Sequence, residues 1–171
     1  MNGIRTRMLI AAAVFILLGI GISIVVAAAG IGAAGHGTLL VPNSDGNQVR
    51  RQFSFSARQG ADGRVSGNAI LHNPAFSGEN GQNYMLHVDI TCMKVYGNTA
   101  VFGGTTRKTN DPNLVGTVFF SVQDNGEPGK GSDRISLAYF GDGPEDPQGC
   151  LTLTPDTFPL VPIDEGNIQV K

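Results

Sequence analysis

Residues 84–106, YMLHVDITCMKVYGNTAVFGGTT, decide the fold. Tyr84, Leu86, Val88, Ile90 and Cys92 fall on one parity, and Met85, His87, Asp89 and Thr91 on the other. Successive side chains of a strand leave on opposite faces, so this period of two predicts an extended segment with one buried and one solvated face. After Cys92 the phase changes, since Met93 and Val95 are apolar and Lys94 is not, and a bulge or strand end is expected there. Gly97-Asn98 suits a two-residue primed turn with positive φ at both positions. Ala100-Val101-Phe102 returns as the second strand, and Gly103-Gly104 lets it bend.

The pattern extends in both directions. Phe53, Phe55 and Ala57 alternate with serines as a half-buried strand, and Arg64–Leu71 returns after a turn at 60–63, with Gly67 marking a bulge. Val118, Phe120 and Val122 share one face, Ile135, Leu137 and Tyr139 another, and Gly166–Val170 reads as a short final strand. Gly141–Pro162 is irregular. About seven or eight short strands joined by brief turns predict an all-β domain built as an antiparallel meander, closed or nearly closed into a barrel, with a β-sandwich as the alternative. Pairing of Ile168 and Val170 with Phe53 and Phe55 would bring first and last strands together.

Ahead of this domain, Met1–Arg7 carries two arginines and no acid, and Met8–Ala34 carries no charge at all. A basic start, an apolar run and small residues at its end make an export signal, yet the run is also long enough for a membrane anchor. The expected organisation is therefore a signal peptide or anchor helix over 1–34, a polar Gly-rich linker over 35–49, and the β-domain over 50–171. The membrane would be met only through residues 8–34, if they are retained. Composition supports a folded, turn-rich chain: 41% hydrophobic and 15% charged residues, 24 glycines, 9 prolines and no tryptophan. Net charge is −2, and without a run of Lys and Arg the chain lacks the means to neutralise phosphates, which sets nucleic acid aside.

Several fragments occur together in order: Phe53–Arg58, the Gly67 strand, Gly97-Asn98-Thr99-Ala100, Asp124–Gly129, Asp133-Arg134-Ile135-Ser136 and Gly166–Val170. In this the chain resembles the small exported bacterial β-domains called post-COAP domains, over nearly all of residues 50–171. The resemblance implies an extracytoplasmic β-domain of the kind found beside adhesive or repeat domains, and it brings no catalytic residues.

Cys92 and Cys150 are the only cysteines. In an exported protein they pair, closing a loop of about 59 residues with a contribution of ~2–4 kcal/mol. Asp124, Asn125, Glu127 and Asp133 form an oxygen-rich turn that could hold calcium, although turn chemistry alone also accounts for Asp124-Asn125-Gly126. No other cofactor is implied. Asp142, Glu145 and Asp146 read as a solvated acidic loop. His87 and Asp89 share a face, but neither a GxSxG elbow nor an HExxH helix accompanies them; His36 and His72 have no evident role. The expectation is a non-enzymatic extracytoplasmic structural or interaction module with a protein or cell-envelope partner. The alternative is a small-molecule carrier with a pocket inside a β-barrel, and an unrecognised enzyme comes third.

Overall fold

A computed structural model describes residues 30–42, 46–73, 84–140 and 146–171. Of the apolar export or anchor helix expected within residues 8–34, residues 8–29 lie outside the described residues, among which no helix is long and apolar enough to cross a membrane.

The first described segment corrects the expected organisation. Gly32–Pro42 is a strand, β1, paired along its length with β2 (Gln48–Gln59) and, from Ala33 to Thr38, with the last strand, β10 (Glu165–Val170). Residues 35–49 are thus largely sheet and not a linker. The period of two is present in Ala33, Gly35, Gly37, Leu39 and Val41, but the small residues conceal it. Their smallness has a cause: a Cβ at Gly35 would lie 2.7 Å from Phe55 Cε1 and 2.9 Å from Ile168 Cγ1. β1 gives up side-chain volume so that the rings of β2 and the end of β10 can fill the same layer.

The remaining strands are β3 (Val65–Asn73), β4 (Tyr84–Tyr96), β5 (Thr99–Thr109), β6 (Thr117–Gln123), β7 (Arg134–Ser136), β8 (Tyr139–Phe140) and β9 (Leu160–Pro162). All ten belong to one antiparallel sheet in the order β10-β1-β2-β3-β4-β5-β6-β7-β9, with β8 also on β6. Consecutive neighbours from β1 to β7 make the expected meander, and the sheet curls into a half-barrel. The two packed sheets of a sandwich are not formed. The last strand meets β1, with Ile168 opposite Gly35; β1 separates it from Phe53 and Phe55, its expected partners. Gly67 pairs regularly with Ala57 and Ile90, without the expected bulge. Where β6 changes partner from β7 to β8, Ser136 Oγ accepts the Ser121 N–H at 2.8 Å, so the interrupted ladder leaves that buried donor satisfied.

The concave side is filled by Phe53, Phe55, Phe102 and Phe120 with Leu86, Val88, Ile90, Met93 and Ile168. The Phe102 and Phe120 rings stack at 4.7 Å between centroids, and Phe55 meets Phe102 at 5.4 Å.

The phase shift in β4 is a bulge, with the register to β5 slipping between Ile90 and Cys92. It has a consequence that parity alone does not show. Ile90 and Met93 both face the inner core, while Cys92 faces outward, so Cys92 does not share the face of Leu86 and Val88. On the outside it belongs to a second core with Val101, Phe119, Cys150 and Phe158, flanked by Tyr96, Tyr139 and Leu153. The cover of this patch is residues 146–158, a strap with two 3-10 turns, Pro147–Thr152 and Pro155–Thr157. The β4–β5 turn has two residues as expected but not positive φ at both: Gly97 has φ +62°, and no described non-glycine residue has positive φ, so Asn98 does not, and the turn is type II′ with glycine leading.

Candidate functional site

The oxygen-rich turn is a clasp on the sheet edge. β10 is the first strand of the sheet and pairs on one side only with β1. Because Gly32 and Lys171 exchange both backbone bonds, Ile168 and Val170 must direct their N–H groups away from β1. Those donors meet carboxylates: Ile168 N–H donates to Asp133 Oδ2 at 2.7 Å and Val170 N–H to Asp124 Oδ2 at 3.1 Å. The other oxygens serve the turn itself, Asp133 Oδ1 accepting from Asn125 N and Asp124 Oδ1 from Gly126 N. Glu127 Oε1 accepts from the Asn167 amide at 2.7 Å, and Asn125 Oδ1 from the Asn98 amide at 3.0 Å. Asp133 is fully buried, a placement that its two N–H donors make tolerable. The four residues expected to hold calcium therefore aim their oxygens at separate N–H donors. Among the described residues no group of three or more His, Cys, Asp or Glu side chains converges as a metal site.

His87 and Asp89 do share the outer face of β4. Ladder neighbours of His87 are Ile70 and Lys108; those of Asp89 are Asn68 and Thr105, and Arg107 Nε stands 3.6 Å from Asp89 Oδ1. This is a half-exposed polar surface. Of the expected acidic loop, Asp142 and Glu145 lie outside the described residues; Asp146 caps the first turn of the strap, accepting the Gln148 N–H at 2.8 Å.

Cys92 and Cys150 form the expected disulfide, 58 residues apart in sequence and 6.2 Å apart at Cα. Both are buried, at 1% and 0% exposure. The strap is further tied by side chains of β4 and its own Gln148: Lys94 Nζ donates to the Leu151 carbonyl at 2.6 Å, Tyr96 Oη to the Leu153 carbonyl, and Gln148 Nε2 to the Thr91 carbonyl at 3.0 Å. Gly103 of β5 lies under the strap, where a Cβ would run into the Pro147 carbonyl oxygen.

Beside the disulfide the strap, the bulge and the β2–β3 turn enclose a cleft of about 440 Å³ that opens to solvent. Val65, Met93 and half-exposed Leu151 give it apolar walls, and Asp62, Arg64 and Gln148 a polar rim. Its volume lies in the range of ligand-binding clefts. Apart from Cys92, none of its residues stands out in the sequence as a site. The sequence signal for it is the phase change at Cys92-Met93, where a bulge or strand end is expected.

No family model matches this chain, and no curated protein or solved structure is detectably similar to it.

Proposed function

We propose that the protein is a non-enzymatic interaction module that works outside the cytoplasm, on a bacterial cell surface or secreted. The observation that carries this reading is the buried Cys92–Cys150 bridge, because such bridges form and persist where the environment is oxidising. A charge-free run after Arg5 and Arg7 supplies the route out, and the resemblance to post-COAP domains agrees with a surface module. The bridge and three side-chain-to-carbonyl bonds hold the strap against β4, which suits a binding surface that is formed before its partner arrives.

The same reading favours a nearly closed barrel. Residues 160–171 run on from β9 to β10: Ile163 N–H donates to Asp133 O beside β7, and Asp164 N–H to Thr38 O beside β1. One stretch of chain thus touches both ends of the sheet, and the Asp124 and Asp133 carboxylates bridge the remaining seam.

Export also selects a processing point. Ala27-Ala28-Ala29 and Gly32-Ala33-Ala34 both suit a signal peptidase, but the second lies inside β1, where Gly32 bonds to Lys171 in both directions and Ala33 is buried. The test is to express the full chain in its host, fractionate the cells and map termini and thiols by mass spectrometry. The expected result is extracytoplasmic protein with the bridge intact, beginning at Gly30 if processed. Cytoplasmic protein with both thiols free overturns the reading; a mature chain starting at Gly35 overturns the choice of cleavage site.

A further inference from the structure

β4 outruns its partner on one side. Its ladder with β3 extends from Asn73 opposite Tyr84 to Gly67 opposite Ile90 and ends there. Its ladder with β5 continues to Tyr96 opposite Thr99. The bulge turns β4 just where β3 stops, and Val65 and Ser66 pair with β2 alone. The cleft of about 440 Å³ is the space between the two diverging strands.

The direction of the β4 backbone groups in this space follows from the turn. Tyr96 and Thr99 flank a two-residue turn and so form a hydrogen-bonded pair; the pairing alternates from there. Lys94 therefore bonds towards Val101, and the N–H and C=O groups of Met93 and Val95 point away from β5, those of Met93 into the cleft. Among the described residues no strand pairs with this side of β4 beyond Ile90.

Open strand edges are elsewhere covered in this molecule. On β10 the Asp124 and Asp133 carboxylates take the outward N–H groups, and short β9 carries Pro162, which has no N–H to offer. Among the described residues the β4 edge has neither device. Gln148 takes up only the Thr91 carbonyl.

We propose that this edge is a docking site at which an extended peptide adds as a strand beside residues 91–95 of β4. The proposal rests on the reading of the protein as an interaction module and names the chemistry of its partner. Like groups recur along a strand edge every two residues, about 6.8 Å, and a second extended main chain matches donors and acceptors at that interval. One row of peptide side chains faces Val65 and Met93 and is apolar. The other stands beside Arg64, whose side chain is 90% exposed and only loosely engaged by Asp62 at 3.7 Å, and is acidic. Asp62 is itself committed to the turn, accepting the Arg64 N–H at 3.1 Å.

The experiment is fluorescence anisotropy of the purified, disulfide-bonded domain with a labelled heptapeptide of alternating valine and aspartate. Two further peptides carry N-methyl groups on alternate residues, one on each parity. Saturable binding at about 10–100 μM is expected, with one methylated parity weakened at least about tenfold and the other within about twofold. Thr91→Trp, which fills the cleft from an exposed position, weakens binding by about tenfold, and Arg64→Glu, on a side chain free of the core, by about fivefold. Equal binding of both methylated peptides, absence of saturation, or a dimer in sedimentation that the peptide does not dissolve overturns the proposal. Exported, bridged protein without peptide binding removes this site alone; cytoplasmic protein with free thiols removes the module reading.

Discussion

The two cores of this molecule are built by different means. The inner one collects Phe53, Phe55, Phe102 and Phe120 from β2, β5 and β6 through plain alternation along each strand. The outer one exists because a bulge turns Cys92 the other way and a strap of 3-10 turns closes over Val101 and Phe119. In the inner core the Phe55 ring of β2 meets those of Phe102 and Phe120 from β5 and β6, which ties distant strands of the sheet together. The outer core hangs on one covalent bond and a few side-chain bonds to carbonyls. A region of the second kind can open without the first unfolding, and it is the one that frames the cleft.

Three variants break or sharpen this contrast. The largest effect is expected from Phe102→Ala, which removes a fully buried ring stacked on Phe120 and lowers global stability by ~3–5 kcal/mol in denaturant titration. A shift of that size confined to the strap would reverse the assignment of roles. Replacing Cys92 and Cys150 together by alanine is expected to cost ~2–4 kcal/mol. Its signature is local: amide exchange accelerates over residues 146–158 while β2, β5 and β6 stay protected. Uniform loss of protection would show the two cores to be one cooperative unit. Smallest is Asp146→Ala, which deletes the cap on Gln148 N–H and costs about 1 kcal/mol, detectable as faster exchange in Pro147–Thr152 with no change in melting of the sheet.

Much of the fold was legible because alternation is a local property. Leu86, Val88 and Ile90, Phe53 and Phe55, and Val118, Phe120 and Val122 all point inward as their parity requires. β1 escaped because its inward positions are glycine and alanine, chosen to admit rings from β2, so its pattern carries little hydrophobic contrast. The short β9 escaped because three residues make no period; β7 and β8 were expected as one strand, and the break between them leaves Tyr139 at the outer core and not with Ile135. At the candidate site the cysteine pairing followed from compartment and count, whereas the face of Cys92 did not. A single inserted residue at a bulge inverts parity downstream, and the sequence marks only that something changes there.

The sequence by itself determined an all-β meander, the turn at Gly97, an irregularity after Cys92 and the partner of each cysteine, all set by backbone geometry within a few residues or by simple exclusion. Tertiary structure decided that residues 32–42 are wall, that Cys92 looks outward, and that, among the described residues, no strand pairs with the β3 side of β4 beyond Ile90. It also decided what the acidic turn is for. Asp133 finds its donor at Ile168, 35 residues away, and Asp124 at Val170, 46 away. An oxygen-rich turn written in sequence serves a cation or a strand edge equally well; which N–H groups arrive beside it depends on how the curled sheet brings its last strand back to β6 and β7.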